Sequence, residues 1–373
     1  MSSEVPQGWQ TATLGKVLAR AEGGGTPPRD VEGYWNGDIP WASVKDIVKG
    51  NGSIPQETIT AAGLANSTSR IVAAGTNIFA ARMGVGAVTR YPMDVAINQD
   101  LMALTPAKGL DPDYLYHWLR SKKAAFAAVA TGTTVKGIRK DLLLSFPLHL
   151  PPLDEQRRIA EVLRSVDDAI AAAQAVSNAT QHAFASVRAE LMEEARATSD
   201  EVVIADAIAK NRGQKLKKLQ TSDYLEDGAF PIIDQGAAFV CGFTDDAAAL
   251  WPYDLPVIVF GDHTRILKFV DVPFVIGADS TQCITPAAGI DARYMYYALQ
   301  SLDLRGEGYA RHFKLLKEKS MPMPTLPEQC EIAQQLCSLE ASVTAADVAT
   351  ERLLEVKRAL LSDLLSGRVR VHA

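Results

Sequence analysis

Basic residues cluster at two corresponding places in the chain, each shortly before a long helical pattern. The clusters are Lys136, Arg139 and Lys140 in the first half and Arg311, His312, Lys314, Lys317 and Lys319 in the second. Lysine and arginine side chains neutralise phosphate groups and so supply much of the affinity of proteins for nucleic acids. An ordinary solvated helix face is the alternative interpretation, but the recurrence favours phosphate contact.

Further candidates for nucleic-acid contact stand beside predicted turns. Arg82 precedes the turn at Gly84–Gly86, and an arginine at a strand end can reach base edges or phosphates. A salt-bridged scaffold arginine is an equally open interpretation. We interpret Asp262-His263 as a turn that presents His263 and Arg265 to DNA or to the domain core. The complete set of candidate DNA-binding residues is Arg82, Arg90, Lys136, Arg139, Lys140, Lys215, Lys217, Lys218, His263, Arg265, Arg311 and Lys314.

Motifs for catalysis are missing from the sequence. The run Gly23–Gly25 lacks the Lys-Ser/Thr pair that completes a P-loop, so a structural loop is the favoured interpretation. No HExxH pattern and no methyltransferase tetrapeptide of the Asn/Asp-Pro-Pro-aromatic type occurs, and no serine or cysteine elbow accompanies Asp262-His263. We therefore predict no catalytic activity, no bound cofactor and no metal in the isolated chain.

The overall charge does not by itself indicate a nucleic-acid partner. The 373-residue chain carries a net charge of −6, whereas a free nucleic-acid binder is usually basic. Affinity for DNA must therefore come from local clusters or be shared with other subunits. The length suffices for two domains with connecting helices.

Cysteine usage and hydropathy predict a soluble cytoplasmic protein. The four cysteines are far apart and form no CxxC pair, which argues against disulfides and a zinc site. No run approaches eighteen apolar residues, and the N-terminal residues have no apolar signal core. We expect no membrane partner.

Two long amphipathic helices are the elements that organise the chain. From Leu153 to about Arg196, and again from Leu326 to a stop near Gly367, apolar or small residues recur in alternating steps of four and three. This spacing is typical of a coiled-coil seam, and so narrow a stripe needs a partner helix. Lys357 is the one charged seam position, and its stem could snorkel. The principal seam residues are Ile159, Leu163, Val166, Ile170, Ile332, Leu336, Leu339 and Val343.

An internal repeat shows that the chain contains two copies of one module. The segments 105–119 and 285–299 share eight of fifteen residues, and Leu-Asp-Glu-Gln at 153–156 is echoed by Leu-Pro-Glu-Gln at 326–329. Chance similarity and two unrelated surface helices are poor explanations for this match. Each copy is therefore a globular unit followed by a long helix.

Short-range signals predict the elements of each globular unit. Apolar runs at 77–81, 101–104 and 257–260 predict buried strands. Asp111 and Asp291 predict helix starts as N-caps, the former with proline at the first helical position. The Asn-Gly pair at 36–37 predicts a turn.

The predicted fold class is α/β (α+β), with a pseudo-twofold internal repeat. We expect two globular domains at residues 1–152 and 199–325, separated by an antiparallel two-helix coiled coil. Its helices are predicted at 153–198 and 326–373, the second including the C-terminal tail. Such twofold symmetry would match the local symmetry of a DNA duplex.

The ordered motifs resemble those of the specificity subunits of type I restriction–modification systems, and the resemblance covers essentially the whole chain. The motifs are GGGTP at 23–27, YWNG at 34–37, IPW at 39–41, AARMGVG at 80–86, NQD at 98–100, FGDHTR at 260–265 and PFVIGAD at 273–279. The second half departs from the first because it lacks the GGTP, YW and IPW run. That departure fits two domains that read different sequences.

The resemblance implies a non-catalytic subunit for DNA recognition in phage defence. Each globular unit would be a target-recognition domain for one half of a bipartite, asymmetric site, with the helices as a spacer. The implied partners are double-stranded DNA, two methyltransferase subunits that use S-adenosylmethionine for N6-adenine methylation, and two restriction/translocase subunits that use ATP and Mg. A coiled-coil scaffold that binds only proteins is the alternative, which the acidic total slightly favours. A fused methyltransferase is a third interpretation, disfavoured by the missing motif.

Overall fold

The computed structural model of the chain describes residues 5–48, 54–133, 135–210, 217–277, 280–304 and 311–371. The chain forms two compact units: the first contains residues 1–172 and 350–373, and the second contains residues 173–349. Both units mix helices and strands, which confirms the predicted α/β class. Within the described ranges, no helix combines the length and apolar character needed to cross a bilayer.

The first unit is built from short strands, short helices and the beginning of one long helix. Its strands are β1 (Gln10–Thr13), β2 (Leu18–Gly23), β3 (Trp35–Ala42), β4 (Glu57–Ile59), β5 (Arg70–Val72), β6 (Asn77–Ala80), β7 (Val88–Thr89), β8 (Val95–Ile97), β9 (Leu101–Pro106) and β10 (Pro147–Leu150). Its helices are α1 (Leu14–Val17), α2 (Val44–Val48), α3 (Ala61–Ala65), α4 (Pro112–Ser121), α5 (Lys123–Ala128), α6 (Lys140–Leu144) and the first part of α7 (Leu153–Thr198).

The second unit follows with a similar set of elements. Its strands are β11 (Glu201–Val203), β12 (Phe230–Ile233), β13 (Gly242–Thr244), β14 (Val257–Gly261), β15 (Leu267–Val270), β16 (Val275–Ile276), β17 (Thr281–Ile284) and β18 (Ser320–Pro322). Its helices are the last part of α7, α8 (Ile204–Ala207), α9 (Ala292–Gln300), α10 (His312–Lys317) and the first part of α11 (Leu326–Ser366). The last part of α11 belongs to the first unit.

The sheets of the two units share one plan. In the first unit the sheet orders are β1-β10, β2-β9-β6-β7 and β4-β3-β8-β5, and in the second they are β11-β18, β15-β14-β17 and β13-β12-β16. The antiparallel pair β6–β9 corresponds to β14–β17, and the parallel pair β3–β8 corresponds to β12–β16. The internal repeat predicted from the sequence is therefore also a repeat of the strand order.

The predicted buried strands and helix starts lie close to the positions that we expected. All residues of β6 and β14 are buried, as expected for continuous apolar runs covered on both faces. The Asp111 carboxylate accepts from the backbone N–H groups of Asp113 and Tyr114, and Asp291 caps α9 by accepting from Tyr294. These caps place α4 and α9 against the strand pairs that precede them.

The long helices are paired within each unit. In the first unit, Lys357 of α11 forms an ion pair with Asp167 of α7, and Arg158 Nε donates to the carbonyl of Val371 at 3.0 Å. These contacts make the two helix segments antiparallel. In the second unit the Ser177 hydroxyl and the Gln181 amide donate to the Asp347 carboxylate.

The predicted seam residues face the interior to different degrees. Ile159, Leu163 and Leu336 are fully buried within hydrophobic cores. The remaining five are half-buried: Val166, Ile170, Ile332, Leu339 and Val343. The suggestion that Lys357 snorkels is wrong, because its side chain is only 13% exposed and is paired with Asp167.

A buried glutamine ties each long helix to the shorter helix before it. Gln156 accepts from the backbone N–H of Asp111 at 2.8 Å and donates to the carbonyls of Gly109 and Pro151. Gln329 repeats this arrangement by accepting from Asp291 N–H at 2.8 Å and donating to Pro324 O at 2.9 Å. The repeated Glu-Gln motif therefore connects the long helices to the globular parts of the units.

The turn predicted at 36–37 is wrong. β3 continues through this position, where its pairing with β4 shifts register between Trp35 and Ile39. Asn36 adopts φ 60°, and a Cβ on Gly37 would lie 2.6 Å from Ile59 O. The Asn-Gly pair forms a bulge because strand pairing on both sides outweighs the local turn preference.

Candidate nucleic-acid interface

In the first unit, the end of β6 lies against the basic segment at 136–140. The Ile138 N–H donates to Ala81 O at 2.9 Å, and the Met83 N–H donates to Lys136 O at 3.1 Å. Backbone hydrogen bonds therefore hold Arg82 and Lys136 close together, although they are separated by more than fifty residues of sequence.

The charges in this region remain largely available to solvent. The Arg82 side chain is 58% exposed, and its guanidinium lies 3.9 Å from the Asp100 carboxylate. The Arg139 side chain is 76% exposed and pairs with Asp141 at 3.0 Å. Exposed ion pairs of this kind contribute little to stability, so breaking one to bind a phosphate costs little. Lys140 is more constrained, since its Nζ donates to Ala21 O at 2.5 Å.

Arg90 has a different environment from the other candidates of the first unit. Its guanidinium donates to Asn77 Oδ1 at 2.7 Å, pairs with Asp113 and lies 4.6 Å from the Tyr116 ring centroid. These contacts hold Arg90 against the start of α4. Arg90 is therefore not among the residues that we propose to contact DNA.

The second unit repeats the arrangement with different side chains. The loop after β14 begins at Asp262, whose carbonyl accepts from the His312 N–H at 3.0 Å and whose carboxylate accepts from the Phe313 N–H at 2.7 Å. Arg311 and Lys314, at the start of α10, are exposed beside this loop. A strand-end loop again meets a basic helix start.

His263 and Arg265 differ in how exposed they are. The His263 backbone N–H donates to Gln235 Oε1 at 3.3 Å, and the residue is half-buried. Arg265 is exposed, adopts φ 62° and donates to Leu304 O at 3.4 Å. Of the two, Arg265 presents its charge outward.

The basic stretch before β12 is only partly described. Lys215 lies outside the described residues. Lys217 pairs with Asp246 at 2.5 Å, and Lys218 Nζ donates to Thr281 O at 2.7 Å. The two described lysines thus brace the fold of the second unit, and Lys217 keeps 59% of its side chain exposed.

Met83 is a candidate that sequence reasoning missed. It is 56% exposed, adopts φ 57° and stands between Arg82 and Gly84, with Lys136 bonded to its backbone. Positive φ is uncommon for a side chain of this size and tends to occur at functional positions. The residue type alone carries no signal of this conformation, because methionine is usually a core residue.

The glycine loop at 23–25 is structural, as the sequence favoured. A Cβ on Gly24 would lie 1.9 Å from Ile97 O, and one on Gly25 would lie 2.0 Å from Thr68 Oγ1. Gly25 O accepts a hydrogen bond from Trp41 Nε1 at 3.1 Å, and Trp41 is fully buried. These glycines permit close backbone packing around a tryptophan anchor.

Across the described residues, no group of three or more His, Cys, Asp or Glu side chains is placed to hold a metal ion. The surface offers cationic and apolar side chains on loops that follow buried strands. Such a surface is suited to contact with phosphates and base edges.

Comparisons with known proteins show which proteins this chain is similar to. Residues 6–179 match the Type I restriction modification DNA specificity domain. The chain is 30% identical over 164 residues to the Type I restriction enzyme EcoR124I/EcoR124II specificity subunit of Escherichia coli, covering 42% of this chain and 40% of that protein. It is 27% identical over 172 residues to the MjaIX specificity subunit of Methanocaldococcus jannaschii, covering 45% and 40%. The alignments thus span about 40% of the length of these two relatives.

Other comparisons extend over more of the chain. The MjaVIII specificity subunit of Methanocaldococcus jannaschii is 22% identical over 305 residues, covering 71% of this chain and 72% of that protein. A crystal structure of the type I restriction–modification S subunit from M. genitalium matches with a TM-score of 0.66 at 16% identity, covering 98% of this chain and 97% of the other. The latter similarity concerns the fold.

Proposed function

We propose that this chain, which belongs to the family of type I restriction–modification specificity subunits, recognises a bipartite asymmetric DNA site. Each unit would read one half-site, and the paired long helices would set the spacing. The division of labour follows the predicted domains at 1–152 and 199–325. DNA sequence recognition itself follows from the family.

One observation carries the assignment of the DNA-contacting surfaces. Both units place a loop at the end of a buried strand against a basic segment that precedes a long helix, through backbone hydrogen bonds to Lys136 and Ile138 in one case and to Asp262 in the other. The loops differ in their side chains, with Arg82 and Met83 in one and His263 and Arg265 in the other. One scaffold with two sets of contact residues is what recognition of two different half-sites requires.

The chemistry of modification and cleavage would belong to partner subunits. We propose two methyltransferase subunits, which bind S-adenosylmethionine and methylate adenine N6, and two restriction/translocase subunits, which use ATP and Mg. The chain itself acts as the non-catalytic reader that positions them. Its acidic net charge of −6 fits this role, because partner subunits can share the contacts with DNA.

The proposal is tested by DNA binding of the complex with the methyltransferase subunits. The variant Arg82→Ala/Lys136→Ala should lose affinity for specific duplex. The slope of log K against log[salt] is negative, and its magnitude should decrease by roughly 1 for each lost phosphate contact. Lys16→Ala, which removes an exposed lysine at the end of α1, is the matched control. Unchanged affinity in the double variant would contradict the placement of the interface.

The same experiment separates the proposal from the protein-scaffold alternative. A reader of DNA binds specific duplex far more tightly than unrelated duplex, typically by a factor on the order of 10³ or more. A scaffold that binds only proteins assembles with the methyltransferase subunits but gives no such preference.

A further inference from the structure

A groove in the second unit lies between the last turns of α7 and the first turns of α11. Its volume is about 190 Å³, several times the roughly 30 Å³ that a water molecule occupies in the liquid. The floor is apolar and the rim is acidic. Its lining includes Leu191, Glu194, Ala195, Glu328, Glu331 and Ile332.

The first unit contains the same helix crossing, and there the chain itself fills the position. An offset of 173 residues relates Glu155 to Glu328. Trp9 is buried at this point and its Nε1 donates to Glu155 Oε2 at 3.0 Å. Gly367 corresponds by the same offset to Glu194, and a Cβ on it would lie 2.4 Å from the Pro6 ring and 3.3 Å from the Trp9 ring.

An arginine completes the arrangement in the first unit. The Arg370 guanidinium donates to both carboxylate oxygens of Glu155, at 2.8 and 2.9 Å, and lies 5.6 Å from the Trp9 ring centroid. A bidentate pair of this kind is strong and geometrically specific. Trp9 and Arg370 show which side-chain chemistry fits a carboxylate at this helix crossing.

Among its described residues, the second unit supplies neither group at the corresponding place. Its chain passes directly from α7 into β11 through Ser199 and Asp200. Among the described residues that line the groove there is no aromatic side chain and no arginine or lysine. At the positions of Arg158 and Gly367 in the first unit, the second unit has Glu331 and Glu194. The groove of the second unit is therefore more acidic than the corresponding place in the first unit.

We propose that this groove binds a segment of a partner protein that places an aromatic side chain beside an arginine or lysine. The ring takes the position that Trp9 has in the first unit, and the cation pairs with Glu328 and the neighbouring carboxylates. The inference rests on the proposed function only for the identity of the partner, which we assign as a methyltransferase subunit.

The first test measures binding of the full chain to the methyltransferase subunit by calorimetry. Glu194→Lys/Glu331→Lys should weaken binding by at least about tenfold, because it replaces charge-assisted attraction with repulsion. Glu193→Lys, an exposed position on the same turn outside the groove, is the matched control. Equal affinity of the double variant and the unaltered chain would overturn the proposal.

A second measurement tests ligand binding to the groove in the absence of the methyltransferase subunit. N-acetyl-tryptophanyl-arginine amide, titrated into the isotope-labelled full chain, should shift the amide resonances of Leu191, Ala195 and Glu328. The shifts should vanish in the double variant, and N-acetyl-tryptophanyl-glutamate amide should cause none. No shift at these amides would overturn the inference about the groove. Shifts with the dipeptide, but no binding of the methyltransferase subunit, would instead contradict the proposed function.

Discussion

At the scale of single residues, a buried glutamine in each copy determines how the long helix joins its globular part. Gln156 and Gln329 are fully buried, and each satisfies the backbone N–H of the aspartate that caps the preceding helix. The duplicated Glu-Gln motif was visible in the sequence. The bonds to the Asp111 and Asp291 N–H groups were not, because these partners lie 45 and 38 residues away.

Replacing this glutamine should destabilise the first unit. Gln156→Ala leaves the Asp111 N–H and the carbonyls of Gly109 and Pro151 without their partner, at a cost of about 3 kcal/mol for buried groups of this kind. Urea denaturation of the variant measures the change. The control is Gln174→Ala, an exposed glutamine whose replacement should change stability by less than about 0.5 kcal/mol. Equal effects of the two substitutions would contradict this account of the motif.

The buried His117 predicts a pH dependence of stability. Burial lowers its pKa to about 4, against the partial opposition of nearby Asp167. Between pH 6.5, the ordinary pKa, and pH 4 the unfolded chain binds a proton that the folded chain does not, so stability falls as the pH falls through this window. The size of the effect is on the order of 3 kcal/mol.

Denaturation across this pH range tests the role of His117. His117→Phe should remove most of the fall in stability between pH 6.5 and pH 4, whatever its effect at neutral pH. His182→Phe replaces an exposed histidine of α7 and serves as the control. A His117→Phe variant with an unchanged pH slope would show that another group is responsible.

At the scale of elements, the hydrophobic periodicity predicted the long helices correctly, whereas the local turn signal at 36–37 predicted a turn where a bulge occurs. The alternating spacing identified α7 and α11 and their apolar faces because a helix repeats its own geometry. The bulge at Asn36 and the positive φ of Met83 depend on strand pairing and on the Lys136 carbonyl. Neither partner is local, so no reading of neighbouring residues could have found them.

The ion pair across the helices of the first unit gives a prediction for this scale. Asp167 is paired with Lys357 and lies 3.3 Å from Arg120. Lys357→Leu leaves the partly buried carboxylate short of one partner and should cost on the order of 2 kcal/mol. Asp167→Leu/Lys357→Leu should recover part of this loss, because replacing both partners by apolar groups is close to neutral. Thermal or urea unfolding of the unaltered chain, the single variant and the double variant measures these differences. A double variant less stable than Lys357→Leu would contradict the account.

At the scale of the whole molecule, the central claim is that two copies of one module read two different DNA sequences. The sequence predicted the duplication from the segments 105–119 and 285–299, and the shared sheet plan bears out that repeat. The bases that each unit reads could not be predicted. Readout depends on where the contacting side chains stand relative to base edges and on the shape of the DNA. We propose Arg82, Met83 and Arg265 as such side chains.

The most direct test is to map N6-methyladenine across the host genome before and after exchanging residues 1–150 for those of another specificity subunit. The account predicts a two-part methylated sequence in which one half changes and the other half and the spacing remain. A change in both halves, or a modification pattern that does not depend on this chain, would contradict it.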